Sequence, residues 1–215
     1  MSTDSVTRTV IDSGVVAVLR APTAEFFAPA TEILVAAGIT AIEVTLTAAH
    51  AAEAIRMIVR DVPANVVVGA GTVLTGDEAR SSVDAGAGFL VSPVVAPDVL
   101  EAGRDAGVPT YAGALTATEM FTASRAGAPI VKLFPASAVG PRYLTDLHGP
   151  LPGLNIMPTG GIAIVDIGTW LRAGAVAVGL GGPLLGDALS GGSLTQLRER
   201  ARRAVAAVAS ARSGA

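Results

Sequence analysis

Ile130-Val131-Lys132-Leu133-Phe134-Pro135 is a short apolar run with one charge at its centre and a proline at its end. A run of this length, bounded by turn residues, reads as a strand buried on both faces. It has seven counterparts: Val15–Arg20, Ala41–Leu46, Val66–Gly69, Gly88–Ser92, Val108–Ala112, Asn155–Pro158 and Ala175–Gly179. The eight recur at intervals of very roughly 20–25 residues, with helix-period patterns between them. The clearest of these are Thr23–Ala37, His50–Arg60, Asp77–Ala85, Pro97–Ala106 and Thr116–Ala126. Gly38, Gly86, Gly107, Gly127 and Gly174 follow helical segments and read as left-handed C-terminal caps. Pro29, inside the first segment, is expected to kink it or divide it in two.

Eight strand–helix units predict a (β/α)₈ barrel, with a doubly wound open sheet as the rival arrangement. Residues 1–215 suit one barrel domain with a short N-terminal lead-in helix. At the other end, Leu194–Val208, with Arg198, Arg200, Arg202 and Arg203, reads as a solvated amphipathic helix.

Lys132 is the only lysine in the chain, against fourteen arginines. Arginine stays protonated, whereas a lysine in a dry pocket can lose its proton and act as a nucleophilic amine. A lone lysine on an apolar strand therefore points to Schiff-base chemistry with a carbonyl substrate. The other reading, a lysine that snorkels from a strand end, also stands at this point. Glu43 is the only acid inside any proposed strand, and alternation places it on one face with Ala41 and Thr45. A glutamate and a lysine pointing into one barrel mouth are either a structural ion pair or a general base beside an amine nucleophile.

Composition narrows the classes. Net charge is −3 with no basic tract, which argues against nucleic acid and anionic membranes as partners. Cysteine is absent, excluding disulfides and thiolate metal sites and leaving the redox compartment open. Although 51% of residues are hydrophobic, charges, glycine or proline interrupt every run before about 18 residues, so no membrane span is expected. Met1-Ser2-Thr3-Asp4 does not begin a signal peptide, and a cytoplasmic location is expected. His50 reads as a helix-start residue and His148 as a loop residue. With no carboxylate cluster near either, no metal or other cofactor is expected.

In a barrel of this kind, chemistry sits at the C-terminal ends of the strands. The polar residues there are Arg20, Glu43, Thr45, Thr47, Thr72, Ser92, Lys132 and Thr159, with Pro93 and Phe134 beside them. Gly160-Gly161 and Gly181-Gly182 follow the seventh and eighth strands, where backbone N–H groups commonly hold phosphate. Each pair could equally be a tight turn.

Seven segments occur in order: Ala17-Val18-Leu19-Arg20-Ala21, Glu43-Val44-Thr45-Leu46-Thr47, Gly69-Ala70-Gly71-Thr72-Val73, Val91-Ser92-Pro93, Val131-Lys132-Leu133-Phe134-Pro135-Ala136, Val139-Gly140-Pro141 and Pro158-Thr159-Gly160-Gly161-Ile162. Together they closely resemble the 2-keto-3-deoxy-6-phosphogluconate (KDPG) / 4-hydroxy-2-oxoglutarate (KHG) aldolases, over roughly residues 14–186. The resemblance implies a metal-independent, homotrimeric class I aldolase of carbohydrate breakdown. Its substrate would be a small 2-keto-4-hydroxy acid, cleaved reversibly to pyruvate and an aldehyde such as glyceraldehyde 3-phosphate or glyoxylate. It also implies Lys132 as the Schiff-base lysine, Glu43 as acid/base, and Thr72 and Thr159 lining the pyruvate end. Pro93 and Phe134 would shape the pocket.

The chain departs from the family pattern in two places that matter. Some members carry Arg at the position of Thr47, pairing with the substrate carboxylate; others have Arg at the end of the first strand, as Arg20 is here. Arg20 is therefore expected to take that role. The usual serine after the eighth strand is Gly182, with Pro183 following. Gly113-Ala114-Leu115-Thr116 and Val94 also differ at the rim. Phosphate recognition should then rest on the amides of Gly160, Gly161, Gly181 and Gly182. Weighed against this are an aldolase for an unphosphorylated or differently configured keto acid, a phosphate-binding barrel isomerase or epimerase, and a catalytically silent barrel.

Overall fold

The structure is a computed structural model that describes residues 2–214. Helix α1 (Thr3–Ser13) leads into β1 (Val15–Leu19), α2 (Phe27–Ala36), β2 (Ala41–Thr45), α3 (Ala51–Asp61), β3 (Val67–Gly71) and α4 (Gly76–Asp84). There follow β4 (Phe89–Val91), α5 (Pro97–Asp105), β5 (Thr110–Ala114), α6 (Ala117–Arg125), β6 (Val131–Leu133) and α7 (Arg142–His148). The chain ends with β7 (Ile156–Pro158), α8 (Ile167–Arg172), β8 (Val178–Leu180), α9 (Gly182–Leu185) and α10 (Leu194–Ser213). The strands form one parallel eight-stranded sheet in the order β7-β6-β5-β4-β3-β2-β1-β8. The outer strands β7 and β8 meet through a Thr159–Gly179 bridge and a 3.0 Å bond from Val176 N–H to the Ile156 carbonyl. The sheet thus closes into a (β/α)₈ barrel, not an open doubly wound sheet.

Strand alternation sorts the core into two layers. Ile42, Val44, Leu90, Leu133 and Ile156 face outward against the helices. Val16, Val18, Ala41, Val67, Phe89, Tyr111, Ile130 and Met157 fill the barrel interior, and Val6 and Val10 of α1 pack beneath them. The Phe89 and Tyr111 rings stack 5.4 Å apart there, and burial pushes the Tyr111 phenol above its ordinary range. Each such large side chain contributes about 1.5–3 kcal/mol by leaving water. The interior is therefore a packed plug, and only the C-terminal end of the strands opens as a mouth.

The five helix-stop glycines all have positive φ: Gly38 102°, Gly86 98°, Gly107 67°, Gly127 98° and Gly174 103°. In each case the next residue's amide bonds back to the carbonyl five residues earlier, as from Val108 to Gly103 (2.8 Å) and Ala175 to Trp170 (3.1 Å). This moves two strand starts. Val108 and Ala175 belong to helix stops, and Pro109 has no N–H to give, so β5 and β8 begin at Thr110 and Val178.

Pro29 does not kink a helix. It lies in the first turn of α2, where an amide is surplus, and Thr23–Phe26 is not helical. His50 caps the start of α3 in the left-handed conformation. His148 is not in a loop: it ends α7, and its ring nitrogen Nε2 lies 3.1 Å from the Leu154 carbonyl. α10 runs to Ser213, and its Arg200 is not solvated like Arg202 and Arg203. Its Nε and Nη2 donate to the carbonyls of Leu184 and Leu185 at 2.6 and 2.7 Å. Among the described residues, no helix is long and apolar enough to cross a membrane.

Candidate active site

Lys132 is central on the three-residue strand β6, with Val131 and Leu133 pointing outward into the helix layer. Period-two alternation therefore turns Lys132 inward above Ile130. The same logic turns Glu43 inward above Ala41. The two meet inside the mouth: Lys132 Nζ lies 3.7 Å from Glu43 Oε1, with the side chains only 4% and 0% exposed. These figures matter because exposed pairs contribute about 0–1 kcal/mol, while burying two charges costs several kcal/mol per ion. Neither Glu43 oxygen has a hydrogen-bond partner among the described residues. A buried carboxylate with no donor but a lysine at 3.7 Å is poorly built for stability. It is well placed to exchange protons with whatever forms at Nζ.

Space for the carboxylate comes from Gly71, on the neighbouring strand β3. A Cβ there would collide with the Glu43 side chain. Gly113, the register partner of Lys132 on β5, similarly leaves room for the Pro93 carbonyl. The sequence places Gly113 at the rim but singles out neither glycine for the space it leaves. The strand runs read from it end at Gly69 and Ala112; the strands extend to Gly71 and Ala114, and alternation turns both glycines inward.

A cavity of about 140 Å³ opens beside Lys132, bounded by Arg20, Phe134, Thr159, Gly160, Gly161, Gly181 and Gly182. A water's share of the liquid is about 30 Å³, so the space is on the scale of a small keto acid. The Phe134 ring centroid lies 5.4 Å from Lys132 Nζ, within cation–π range. Thr159 is buried, and its Oγ1 has no partner among the described residues. Gly179 across from it lacks the Cβ that would strike this hydroxyl. Three predicted residues do not border the cavity: Glu43 meets it only through Lys132. Pro93 fills the inward space that Gly113 leaves, and Thr72 is joined to the cavity only through Arg20. Larger hollows, of about 290–490 Å³, lie elsewhere, and none of them borders Lys132 or Glu43.

Arg20 follows β1 and is held by hydroxyls. Its Nη2 donates to Thr72 Oγ1 at 2.9 Å, and its Nη1 approaches Thr47 Oγ1 at 3.5 Å. Thr45 Oγ1 donates to the Leu19 carbonyl at 3.0 Å and lies 3.1 Å from Thr47 Oγ1. A hydroxyl has one hydrogen, and a carbonyl only accepts. Thr47 must therefore donate to Thr45, which leaves a Thr47 lone pair facing Arg20. The Thr45–Thr47 relay is a second feature the sequence did not reveal. Thr72 holds its place at φ 60°, a conformation a β-branched residue rarely adopts.

Gly160 and Gly161 take positive φ (92° and 77°), and the Gly160 carbonyl accepts from Ser137 N–H at 3.0 Å. Across the cavity, Gly181 and Gly182 begin α9. Nothing lies within 4 Å of the position a Gly182 Cβ would take. No group of three or more His, Asp or Glu residues able to hold a metal is present among the described residues.

The chain is similar to known proteins in sequence and in fold. The family model "KDPG and KHG aldolase" matches residues 6–196. A probable 2-dehydro-3-deoxy-6-phosphogalactonate aldolase of Rhizobium meliloti (strain 1021) is 37% identical over 164 residues, covering 76% of this chain and 77% of its own. The KHG/KDPG aldolase of Escherichia coli (strain K12) is 35% identical over 184 residues, covering 84% and 85%. Among solved structures, the KDPG aldolase of Legionella pneumophila, with pyruvate captured at low pH as a covalent carbinolamine intermediate, superposes with a TM-score of 0.84. That match is at 28% identity over 92% of this chain and 96% of that one. With most of its length matched by the family model and two relatives above 30% identity, this chain belongs to the KDPG and KHG aldolase family.

Proposed function

We propose that this protein is a class I aldolase that cleaves a 2-keto-4-hydroxy acid of the KDPG or KHG type, reversibly, to pyruvate and an aldehyde. The observation that carries the reading is the buried Lys132–Glu43 pair at 3.7 Å beside a small cavity. Lys132 passes a proton to Glu43, its neutral Nζ adds to the C2 carbonyl, and Glu43 returns that proton as the carbinolamine oxygen leaves as water. The resulting protonated imine draws electrons from the C3–C4 bond. As that bond breaks, the C4 hydroxyl gives its proton to Glu43 and becomes the aldehyde. The enamine then takes a proton at C3, and water releases pyruvate and the lysine. No metal or cofactor is needed for these steps. An isomerase or epimerase would have no use for this lysine, and a silent barrel would have no use for the pair. Retro-aldol assays on KDPG, its unphosphorylated analogue and KHG test the activity; pyruvate release from none of them would refute it.

Arg20 is assigned the substrate carboxylate, oriented by Thr72 and Thr47, with Phe134 and Thr159 lining the pyruvate end. Pro93 shapes the mouth from the inward space that Gly113 leaves. Arg20→Ala is expected to raise KM for these substrates by about 10–100-fold, since a charge-assisted bond is worth about 1.5–3 kcal/mol. A complex with pyruvate in which Arg20 points away from the carboxylate would reverse the assignment.

The far end of the substrate falls to the amides of Gly160, Gly161, Gly181 and Gly182. With no hydroxyl at Gly182, preference for a phosphorylated substrate should be weaker by roughly 10–100-fold than a serine would give. The open space at Gly182 lets Gly182→Ser be made without collision. That variant is expected to raise kcat/KM on KDPG relative to its unphosphorylated analogue. A wild type already selective for phosphate by thousands, and unchanged by Gly182→Ser, would show that amides suffice. The same reading carries a homotrimer acting in the cytoplasm; light scattering at three times the chain mass tests the trimer.

A further inference from the structure

Arg200 lies on α10, beyond residue 196 where the family match ends. It is half-buried, and its guanidinium grips two successive carbonyls, Leu184 at 2.6 Å and Leu185 at 2.7 Å. These close α9 and would otherwise be unsatisfied at a helix C-terminus, where a cation is favoured. The chain is shaped to receive this side chain. Gly186 takes φ 55°, and a Cβ there would lie 2.6 Å from Arg200 Nη2. Leu184 and Leu185 are themselves buried, so the contact anchors the segment from its packed side. The other side of the same segment, Gly181, Gly182 and Pro183, is a wall of the cavity that contains Lys132. That cavity also borders Thr159, whose buried hydroxyl has no partner among the described residues. The Gly181 carbonyl accepts from both Leu184 N–H (2.9 Å) and Leu185 N–H (3.0 Å). The wall and the residues gripped by Arg200 therefore move together.

We propose that Arg200 is a positioning residue for the aldehyde end of the site. It fixes the Gly181–Pro183 wall against the distant end of the substrate without touching the reacting atoms. This rests on the aldolase reading above. Its consequence is a split between the two halves of the substrate. Pyruvate binds at Lys132, near Arg20 and Thr72, and does not depend on the wall, whereas the full-length substrate does.

The test compares wild type, Arg200→Ala, Arg200→Lys and the exposed control Arg203→Ala. Each is assayed for KDPG cleavage and for borohydride trapping of pyruvate. Arg200→Ala is expected to raise KM for KDPG about tenfold, the factor that about 1.4 kcal/mol of lost binding produces, with kcat and pyruvate trapping at the wild-type level. Arg200→Lys, which can reach one carbonyl at a time, should fall between, and it carries the test if the alanine variant does not fold. Arg203→Ala should match wild type. A KM at the wild-type level in both Arg200 variants would overturn the proposal, as would a parallel fall in pyruvate trapping, which would mark a general structural role. In both cases wild type still traps pyruvate and the aldolase reading survives. A wild type that neither traps pyruvate nor cleaves KDPG removes that reading, and the proposal with it.

Discussion

Lys132→Arg leaves the barrel folded and abolishes turnover. Arginine keeps a positive charge beside Glu43, so the carboxylate is not left alone in the interior. Removing one partner of a buried pair costs about 3–5 kcal/mol, which makes Lys132→Ala or Lys132→Met harder to interpret. A guanidinium cannot form the imine, and the chain has no second lysine to take over. The measurement is pyruvate release from KDPG and KHG at saturating substrate, beside a thermal melt. A folded variant within about tenfold of wild type, a barrier change of only about 1.4 kcal/mol, would end the Schiff-base mechanism.

Glu43→Gln lowers kcat by roughly 10²–10⁴, the usual range for loss of a general acid–base. Glutamine occupies the same volume and fits the space left by Gly71. It cannot take the C4 proton or return one. Nucleophilic addition by Lys132 does not require that transfer in the same way, so trapping of pyruvate should persist, more slowly. This separation of trapping from turnover distinguishes a proton carrier from a structural partner. A variant within about twofold of wild type in kcat would assign Glu43 to structure instead, since general acid–base groups contribute far more.

The barrel was legible because its signals are local and repeated. Apolar runs mark the strands, and five glycines in left-handed conformations mark the helix stops. The misplacements follow from the same turns. Val108 and Ala175 are apolar like strand residues, but their amides are committed to the helices behind them. Lys132 and Glu43 were legible as the lone lysine and the lone strand acid. Their sharing of one barrel mouth followed from alternation. The 3.7 Å separation and the lack, among the described residues, of any other donor to Glu43 did not, since β2 and β6 lie on opposite sides of the barrel and no sequence spacing links them. The hydroxyl relay through Thr45 and Thr47 to Arg20 was hidden for a similar reason. Thr45 and Thr47 read as polar residues of the mouth, but their bonds to one another and to Leu19 and Arg20 depend on register that brings β1 and β2 together. Arg200 looked like any exposed arginine of an amphipathic helix. Only packing of α10 against α9 shows that it holds the Leu184 and Leu185 carbonyls, behind the segment that walls the cavity.

The most direct measurement is mass spectrometry of the protein reduced with borohydride in the presence of pyruvate. One pyruvyl unit should be added per chain, and peptide mapping should place it on the segment containing Lys132. The Lys132→Arg protein should gain nothing. The N-terminal amine is the sole competing site, because no other lysine exists. An active wild type that gains no mass, or that carries the added unit at its N-terminus, would contradict covalent catalysis by Lys132.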